Sequence, residues 1–211
     1  MIDYLTHALT TLFVTIDPIG LAPIFLGLTP GWSRAARRAV AFRSCLVAFA
    51  ILLVLSLVGN PLLSFLGISL AAFRVAGGLL LFWIAAEMVF AKRTERKANI
   101  AQSAAHEGAP DEDHDIAIFP LAIPLIAGPG AISAVILLSD QAPSTIAFGG
   151  MIASFALVLG GTLLIFLGAQ RVDHVLGDTG RAVLTRLLGV ILAALAVQFV
   201  ADGVIALAKT A

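Results

Sequence analysis

A carboxylate lies inside the first long apolar stretch of this 211-residue chain. Asp17 belongs to TIDPIGLAPIF (Thr15–Phe25), which also carries two prolines and a glycine. A charged side chain at the centre of a membrane helix costs about 2.5–3.5 kcal/mol on insertion scales. Asp17 is therefore a candidate for binding a substrate ammonium group or carrying a coupling proton, with helix capping as the structural alternative.

The prolines beside Asp17 predict a broken helix. Pro18 and Pro23 lack an N–H group, so each leaves one carbonyl of the preceding turn without its donor. Gly20, between them, lets the chain leave helical geometry at little cost. A kinked but continuous helix is the alternative, because membrane helices tolerate proline. Broken backbone is tolerated only where it faces protein or a water-filled cavity.

A second apolar stretch, PLAIPLIAGPGAI (Pro120–Ile132), has the same kind of breaks. An offset of 106 residues places Pro124 over Pro18 and Pro129 over Pro23. Two broken helices would direct free N–H groups and free carbonyls into a shared cavity. Such donors and acceptors suit the carboxylate and the ammonium group of an amino acid.

The predicted substrate site consists of the residues at the two breaks and one amide from the last apolar stretch. Its polar side chains are few and small, which favours a small ligand. The predicted binding residues are Thr15, Asp17, Pro18, Ile19, Gly20, Ala127, Gly128, Pro129, Gly130, Ser133 and Gln198. The gating or coupling candidates are Asp17, Arg74 and Arg186. Contact with lipid headgroups is the alternative for both arginines, and a bond to a neighbouring helix is the alternative for Gln198.

The composition predicts an integral membrane protein of the all-α class. The chain is 60% hydrophobic and 12% charged, with a mean hydropathy of +1.03, whereas soluble domains are about a quarter charged. The apolar runs are too long and continuous for outer-membrane strands. Zero net charge gives no basis for nucleic-acid binding. The six predicted transmembrane helices are Tyr4–Leu28, Ala39–Val58, Leu70–Phe90, Ile116–Leu138, Ile146–Gln170 and Val183–Ala206.

The distribution of cations predicts the orientation of these six spans. Of the 13 Lys and Arg residues, only Arg74 and Lys209 fall on one side. The other side, with Lys92, Arg93 and Lys97 among its cations, is predicted to be cytoplasmic. Both termini are then extracytoplasmic.

The two halves of the chain resemble each other in order. RVAGGLLL (Arg74–Leu81) lies over RLLGVILA (Arg186–Ala193), in addition to the paired prolines. Because each half has three spans, equivalent helices cross in opposite directions, a plan typical of secondary transporters. We expect repeat one over 1–91, a hydrophilic cytoplasmic linker over 92–115 and repeat two over 116–211. Chance matching of Pro, Gly and Leu is the alternative.

The linker holds the other cluster of polar residues. HEGAPDEDHD (His106–Asp115) contains carboxylates and histidines but no ordered metal-ligand spacing, so no metal site is expected. The chain has no G-x-S-x-G, H-E-x-x-H or P-loop motif. We therefore expect no enzyme activity and no cofactor beyond a coupling proton or sodium ion.

Three segments resemble the MarC family of bacterial inner-membrane proteins, also described as a small neutral amino acid transporter family. They are DPIGLAPIFLGLT (Asp17–Thr29), PLAIPLIAGPGAI (Pro120–Ile132) and RLLGVILAALAVQFVADGV (Arg186–Val204). The resemblance covers the chain outside the linker. It implies six helices in two inverted three-helix repeats, with the first and fourth helices broken at mid-membrane, and transport of glycine, alanine and similar amino acids. Leu21 departs from the asparagine that members of this family often carry there.

Residues and resemblance together predict a secondary transporter of small neutral amino acids in a bacterial cytoplasmic membrane. Substrate would bind at the broken helices and cross by alternating access. A proton gradient, a sodium gradient or the concentration gradient of the substrate itself would drive transport. A membrane enzyme acting on lipid, a channel and a structural subunit remain the alternatives. The direction of transport and the oligomeric state stay open.

Overall fold

The chain is predominantly helical in the part that the structure describes. The computed structural model describes residues 1–107 and 116–210, and no strand occurs in these ranges. The helices in chain order are α1 (Ile2–Ile16), α2 (Pro18–Leu28), α3 (Arg34–Phe65), α4 (Leu70–Val89), α5 (Lys92–Glu107), α6 (Ala117–Ile126), α7 (Pro129–Asp140), α8 (Thr145–Leu167) and α9 (Ala169–Thr210). The predicted all-α class is confirmed.

Five segments are long and apolar enough to cross a membrane. They are Ile2–Leu28, Arg34–Phe65, Leu70–Val89, Thr145–Leu167 and Thr179–Lys209. The pair α6 and α7, bent by 60° at its junction, makes a sixth if it is counted as one span. The described part of the chain thus contains five to six candidate spans, and they coincide with the six apolar stretches of the sequence.

Helix α3 extends beyond the predicted span Ala39–Val58 at both ends. Its 32 residues correspond to about 48 Å at 1.5 Å per residue, against roughly 30 Å of hydrocarbon. The Ser33 hydroxyl caps its start by accepting from the N–H of Ala36 at 3.2 Å. The helix continues through Pro61, and the chain turns later at Gly67, where φ is +70°. The arginine-rich start of α3 therefore projects past the apolar layer.

Helices α4 and α9 pack closely along their length through glycines. Gly78 of α4 faces Val200, and Gly203 of α9 faces Val75. A Cβ at Gly203 would come within 2.9 Å of the Val75 backbone nitrogen, so this contact depends on the missing side chain. Because the residue numbers in contact run in opposite directions, the two helices are antiparallel.

Several further contacts join the first half of the chain to the second. Helices α1 and α2 pack on α8, while α6 and α7 pack on α3. Helix α4 also packs on α7, and α9 packs on α2. The first apolar stretch of each half therefore contacts the second and third stretches of the other half, and the described helices share one core.

Large apolar side chains cover the outer faces of the bundle. Phe65, Trp83, Leu157, Leu164 and Val190 are among those that are more than half exposed. So many exposed apolar groups are incompatible with a water-facing surface. They provide the surface that acyl chains require.

Candidate functional site

The chain leaves helical geometry between α1 and α2 at Asp17. Its φ and ψ angles are 57° and 63°, in the left-handed region that residues other than glycine rarely adopt. One carboxylate oxygen accepts a hydrogen bond from the N–H of Gly20 at 3.1 Å and so caps α2. Pro18 occupies the first position of α2, where a missing N–H is tolerated.

The absence of a side chain at Gly20 leaves the space that the Asp17 carboxylate occupies. A Cβ on Gly20 would lie 2.3 Å from Asp17 Oδ2, which no real contact allows. A larger residue would therefore displace the cap. The capping role weighed for Asp17 is real, but it uses only one of the two carboxylate oxygens.

Two cations from α5 reach this junction. Arg93 Nη2 donates to the carbonyl oxygen of Thr15 at 2.5 Å, and Lys97 Nζ lies 3.4 Å from that of Ile16. Lys97 Nζ is also 3.6 Å from Asp17 Oδ2, and Arg93 Nε is 4.0 Å from the same atom. The exposed fractions are 2% for Asp17, 4% for Arg93 and 5% for Lys97. The cluster is thus sealed inside the protein.

The two cations supply the donors that α1 lacks at its end. The last carbonyls of a helix have no partner within that helix, and Arg93 and Lys97 provide donors for two of them. The carbonyls at the end of α1 and the carboxylate of Asp17 therefore share one pair of cations. We call Asp17, Arg93, Lys97 and the Thr15 and Ile16 carbonyls the junction cluster.

The junction cluster holds two cations against one carboxylate. Burial lowers the pKa of Lys97 to about 7, and the neighbouring Arg93 acts in the same direction while Asp17 opposes it. Burial also lowers the pKa of Arg93, with Asp17 opposing, but a guanidinium stays charged in proteins. Lys97, on a helix outside the candidate spans, is therefore the member whose charge changes near neutral pH.

Helix α5 presents one face to the core. Arg93, Lys97 and Ala101 are four residues apart, so they share that face, and all three are buried. The helix packs against α2, α4 and α6. Arg96 Nη2 lies 3.1 Å from Glu87 Oε2 and ties α5 to α4. Helix α5 thus lies between the junction of α1 with α2 and helix α6.

Sequence reasoning did not find this role of α5. Arg93 and Lys97 entered only as orientation charges, and residues 92–115 were assigned to a hydrophilic linker. Within that range, residues 92–107 form α5, and 108–115 lie outside the described residues. Two signals pointed to the cluster: the four-residue spacing of Arg93 and Lys97, and the need of a buried Asp17 for a countercharge.

The second interruption lies within α6 and differs in chemistry. Phe119 (φ −127°, ψ 122°) and Ile123 (φ −125°, ψ 126°) are non-helical, and the peptide bonds before Pro120 and Pro124 are cis. Ile123 is the residue that the offset of 106 aligns with Asp17. It is 41% exposed and brings no polar side chain. The carboxylate therefore belongs to one half of the chain only.

The predicted glycines between α6 and α7 are in tight contact with protein. A Cβ at Gly128 would lie 2.4 Å from the Pro124 carbonyl oxygen, and one at Gly130 would lie 2.6 Å from Ile84 Cδ1. Ala127 is buried, and its N–H donates to Ala122 O at 2.8 Å, spanning five residues. Gly130 thus packs against α4, and Gly128 packs against a carbonyl of the preceding turn. Pro129 begins α7.

Three predicted polar side chains make contacts elsewhere. The Thr15 hydroxyl donates to the Thr11 carbonyl oxygen at 2.8 Å, so Thr15 joins the junction cluster only through its backbone. Ser133 is buried on α7 beside Gly77. Gln198 is exposed on α9 and donates to Asp202 Oδ1 at 3.0 Å rather than to either interruption.

The two predicted gating arginines lie apart from the junction cluster. Arg74 Nη2 pairs with Asp140 Oδ2 at 2.5 Å, joining α4 to the end of α7. Arg186 is exposed on α9 and forms no ion pair within the described part of the chain. Arg74 therefore makes a contact between helices of the two halves, which the sequence did not predict.

No group of three or more His, Cys, Asp or Glu side chains among the described residues is arranged to hold a metal ion. The stretch His106–Asp115 lies largely outside those residues.

Comparison with known proteins gives matches along almost the whole chain. A family model described as MarC family integral membrane protein matches residues 2–208. A UPF0056 membrane protein of Methanocaldococcus jannaschii is 37% identical over 203 residues, which are 96% of this chain and 97% of the relative. No solved structure matches significantly.

Bacterial relatives show the same extent of similarity. UPF0056 membrane protein YvbG of Bacillus subtilis is 35% identical over 96% of this chain and 95% of its own length. UPF0056 inner membrane protein YhgN of Escherichia coli is 34% identical over 93% of this chain and 94% of its own length. The names of these relatives describe membrane proteins and state no activity.

Proposed function

Because this chain belongs to the MarC family of integral membrane proteins, we propose that it is a secondary transporter of small neutral amino acids such as glycine and alanine. The observation that carries the proposal is the junction cluster. There a buried carboxylate and two helix-end carbonyls are held by an ammonium and a guanidinium group. These are acceptors for a substrate ammonium group, and the cations are donors for a substrate carboxylate.

A zwitterion matches this cluster in charge. Its ammonium group would replace Lys97 at Asp17 and at the Ile16 carbonyl, and its carboxylate would take the donors of Lys97 and Arg93. The exchange adds no net charge to a buried site, which favours neutral amino acids over acidic or basic ones. The contact between Asp17 and Gly20 leaves little room, which favours small side chains.

The proposed architecture is a pair of inverted repeats, 1–91 and 116–211, with the interruptions of the first and fourth spans at mid-membrane. The reciprocal packing of α1 and α2 on α8 and of α6 and α7 on α3 supports this architecture. The antiparallel contact of α4 with α9 supports it as well. The proposed location is a bacterial cytoplasmic membrane, with both termini extracytoplasmic and α5 on the cytoplasmic side.

Helix α5 is the proposed cytoplasmic closure of the transport path. Its cations fill the junction cluster and leave Asp17 only 2% exposed. The structure then corresponds to a state closed on that side. Alternating access requires α5 to move far enough from Asp17 for substrate to enter between Asp17 and the two α5 cations. This movement exposes Asp17 and the Thr15 and Ile16 carbonyls. It is therefore favourable only when a substrate or a coupling cation binds to those acceptors.

The test is uptake of labelled glycine and alanine by proteoliposomes, with and without a proton or sodium gradient. We expect saturable uptake in vesicles with protein and none in empty vesicles. The gradient that raises the uptake identifies the coupling ion. Absence of protein-dependent flux for every small neutral amino acid, in both directions, would contradict the proposed function.

The role of α5 has a separate test. Cysteines introduced at facing positions of α2 and α5, which pack against each other, are expected, in a Cys45→Ala background, to trap the closed state when a flexible thiol cross-linker joins them. We expect cross-linking to abolish transport and reduction to restore it. Transport that continues after complete cross-linking would contradict the closure by α5 and leave the substrate assignment intact.

A further inference from the structure

A polar cavity lies at one end of the helix bundle. It has a volume of about 260 Å³ and is lined by the end of α2, the start of α3, the end of α8 and the start of α9. Four of its lining residues are arginines: Arg34, Arg37 and Arg38 of α3 and Arg171 of α9. We call it the arginine cavity. It is separate from the junction cluster and shares none of its residues.

The charges of the arginine cavity are not neutralised by described carboxylates. None of its four arginines forms an ion pair within residues 1–107 and 116–210. Elsewhere in the described chain, Arg74, Arg96 and Arg181 each pair with an acid. Arg37 is held by the Thr29 carbonyl oxygen, which accepts from Nη2 at 2.9 Å and from Nε at 3.2 Å. One guanidinium is thus fixed by the fold while the cavity keeps an excess of positive charge.

The backbone adds to that positive potential. Helices α3 and α9 both begin at the cavity, so the positive ends of two helix dipoles meet there. Gly168 precedes α9 and has no side chain to cap the first N–H groups of that helix. Ala169 and Gln170, which carry those N–H groups, line the cavity. The site therefore offers main-chain donors beside guanidinium groups.

An apolar wall closes the other side of the cavity. Leu26, Phe166 and Leu167 form it, and Phe166 stacks on Phe25 with ring centroids 4.4 Å apart. Leu167 is exposed on the outer surface, next to where acyl chains would lie. The cavity thus combines cationic donors with an apolar edge at the end of the candidate spans.

We propose that the arginine cavity binds a phosphate group. Guanidinium groups form bidentate hydrogen bonds with phosphate oxygens, and helix N-termini favour the same anion. The group is carried either by the headgroup of an anionic phospholipid or by free phosphate. Basic pockets between transmembrane helices at the cytoplasmic face bind phospholipid headgroups, and the apolar wall gives such a lipid a place for its chains.

The test uses purified full-length protein in a neutral detergent and native mass spectrometry. One arm titrates phosphatidylglycerol against phosphatidylcholine, and the other titrates inorganic phosphate in the absence of lipid. We expect phosphatidylglycerol to bind about tenfold more tightly than phosphatidylcholine, as charge-assisted bonds to phosphate predict. Arg38→Gln and Arg171→Gln, from the two helices, should each remove most of that preference.

The matched control is Lys92→Gln, which removes one exposed cation outside the cavity. It should leave the preference unchanged. Binding of inorganic phosphate that both arginine variants weaken would assign the site to the free anion. Equal binding of both lipids together with no phosphate binding would overturn the proposal, as would equal losses in the Lys92 control. None of these readouts depends on amino acid transport.

Discussion

Asp17 combines two properties that rarely coincide at one residue. It adopts a left-handed backbone conformation, and its carboxylate is buried. Aspartate tolerates that conformation better than most residues because its short side chain bonds to nearby backbone, as it does here to the N–H of Gly20. The remaining carboxylate oxygen faces Arg93 and Lys97. Local strain at Asp17 thus presents a charge to a partner helix.

Replacement of Asp17 by Asn tests its charge separately from its cap. The amide oxygen of Asn still accepts from the N–H of Gly20, so α2 should form. The charge opposite Lys97 is lost, leaving two buried cations without an anion. We expect transport in proteoliposomes to fall at least tenfold, with a changed dependence on the driving gradient. Asp3→Asn, at an exposed residue of the same helix, is the control and should transport normally. Unchanged transport kinetics in Asp17→Asn would show that Asp17 acts only as a helix cap.

Lys97 predicts a pH dependence of stability. Its pKa is lowered from 10.5 to about 7 in the folded protein. Between these values the unfolded chain binds a proton that the folded chain does not, so the free energy of unfolding rises with pH. Below pH 7 lysine is charged in both states, and the burial penalty is fully present. We expect the thermal midpoint in detergent to rise from pH 7 to pH 10.

The variant Lys97→Met should flatten that rise, because methionine keeps much of the side-chain volume and does not titrate. The exposed Lys92→Met is its control and should retain the wild-type slope. Equal slopes in all three proteins would show that Lys97 is not the group responsible. The other charges facing Lys97 are Asp17, Arg93 and Arg96, and all three remain in both variants.

At the scale of elements, α5 differs from every other helix of the described chain. It is polar overall, yet it places two cations and an alanine in the core between α2, α4 and α6. The free carbonyls of α1 explain why this is tolerated, since each buried cation finds a carbonyl oxygen and a carboxylate. The interruption of the first span and the burial of α5 are therefore parts of one arrangement.

The seam between α4 and α9 makes a prediction about helix packing. In Gly203→Ala the new Cβ would meet the Ala71 carbonyl oxygen at 3.0 Å and the Val75 nitrogen at 2.9 Å, both backbone atoms that cannot rotate away. We expect a loss of about 1–3 kcal/mol in stability, as for overpacked cores. Gly160→Ala, where nothing lies within 4 Å, should be neutral or slightly stabilising. Thermal unfolding in detergent compares the two variants. Equal thermal midpoints would contradict the close packing of α4 on α9 at Gly203.

The elements that the sequence predicts well are those that depend on local chemistry. Continuous apolar runs imply helices, and Asp17 with Pro18 implies a helix end followed by a helix start. The burial of one face of α5 depends instead on contacts between residues far apart in sequence. Arg93 contacts Thr15 across 78 residues, and Lys97 contacts Ile16 across 81. No local pattern encodes them. Polar residues normally face water, and only the position of α1 in the fold shows that Arg93 and Lys97 are buried.

For the molecule as a whole, the arrangement of spans decides the topology. Six spans place both termini on one side, whereas five would place them on opposite sides. The single cysteine, Cys45, is buried, so a Cys45→Ala background allows labelling at chosen positions. We expect Asp3→Cys and Lys209→Cys to react with an impermeant maleimide in intact cells. Lys92→Cys should react only after permeabilisation. Termini that react on opposite sides would contradict the proposed inverted repeat.

The bond from Arg93 to the Thr15 carbonyl has a consequence for biosynthesis. The ribosome delivers the first span to the translocon long before residues 93 and 97 have been made. Until they arrive, the nascent chain holds an unpaired acid and bare carbonyls in lipid, a state that membrane insertion disfavours by a few kcal/mol. Helix α5, which is synthesised later, then stabilises the first span by pairing with these groups. A truncated chain ending at residue 91 should be degraded faster than one ending at 107, although both contain the same apolar helices.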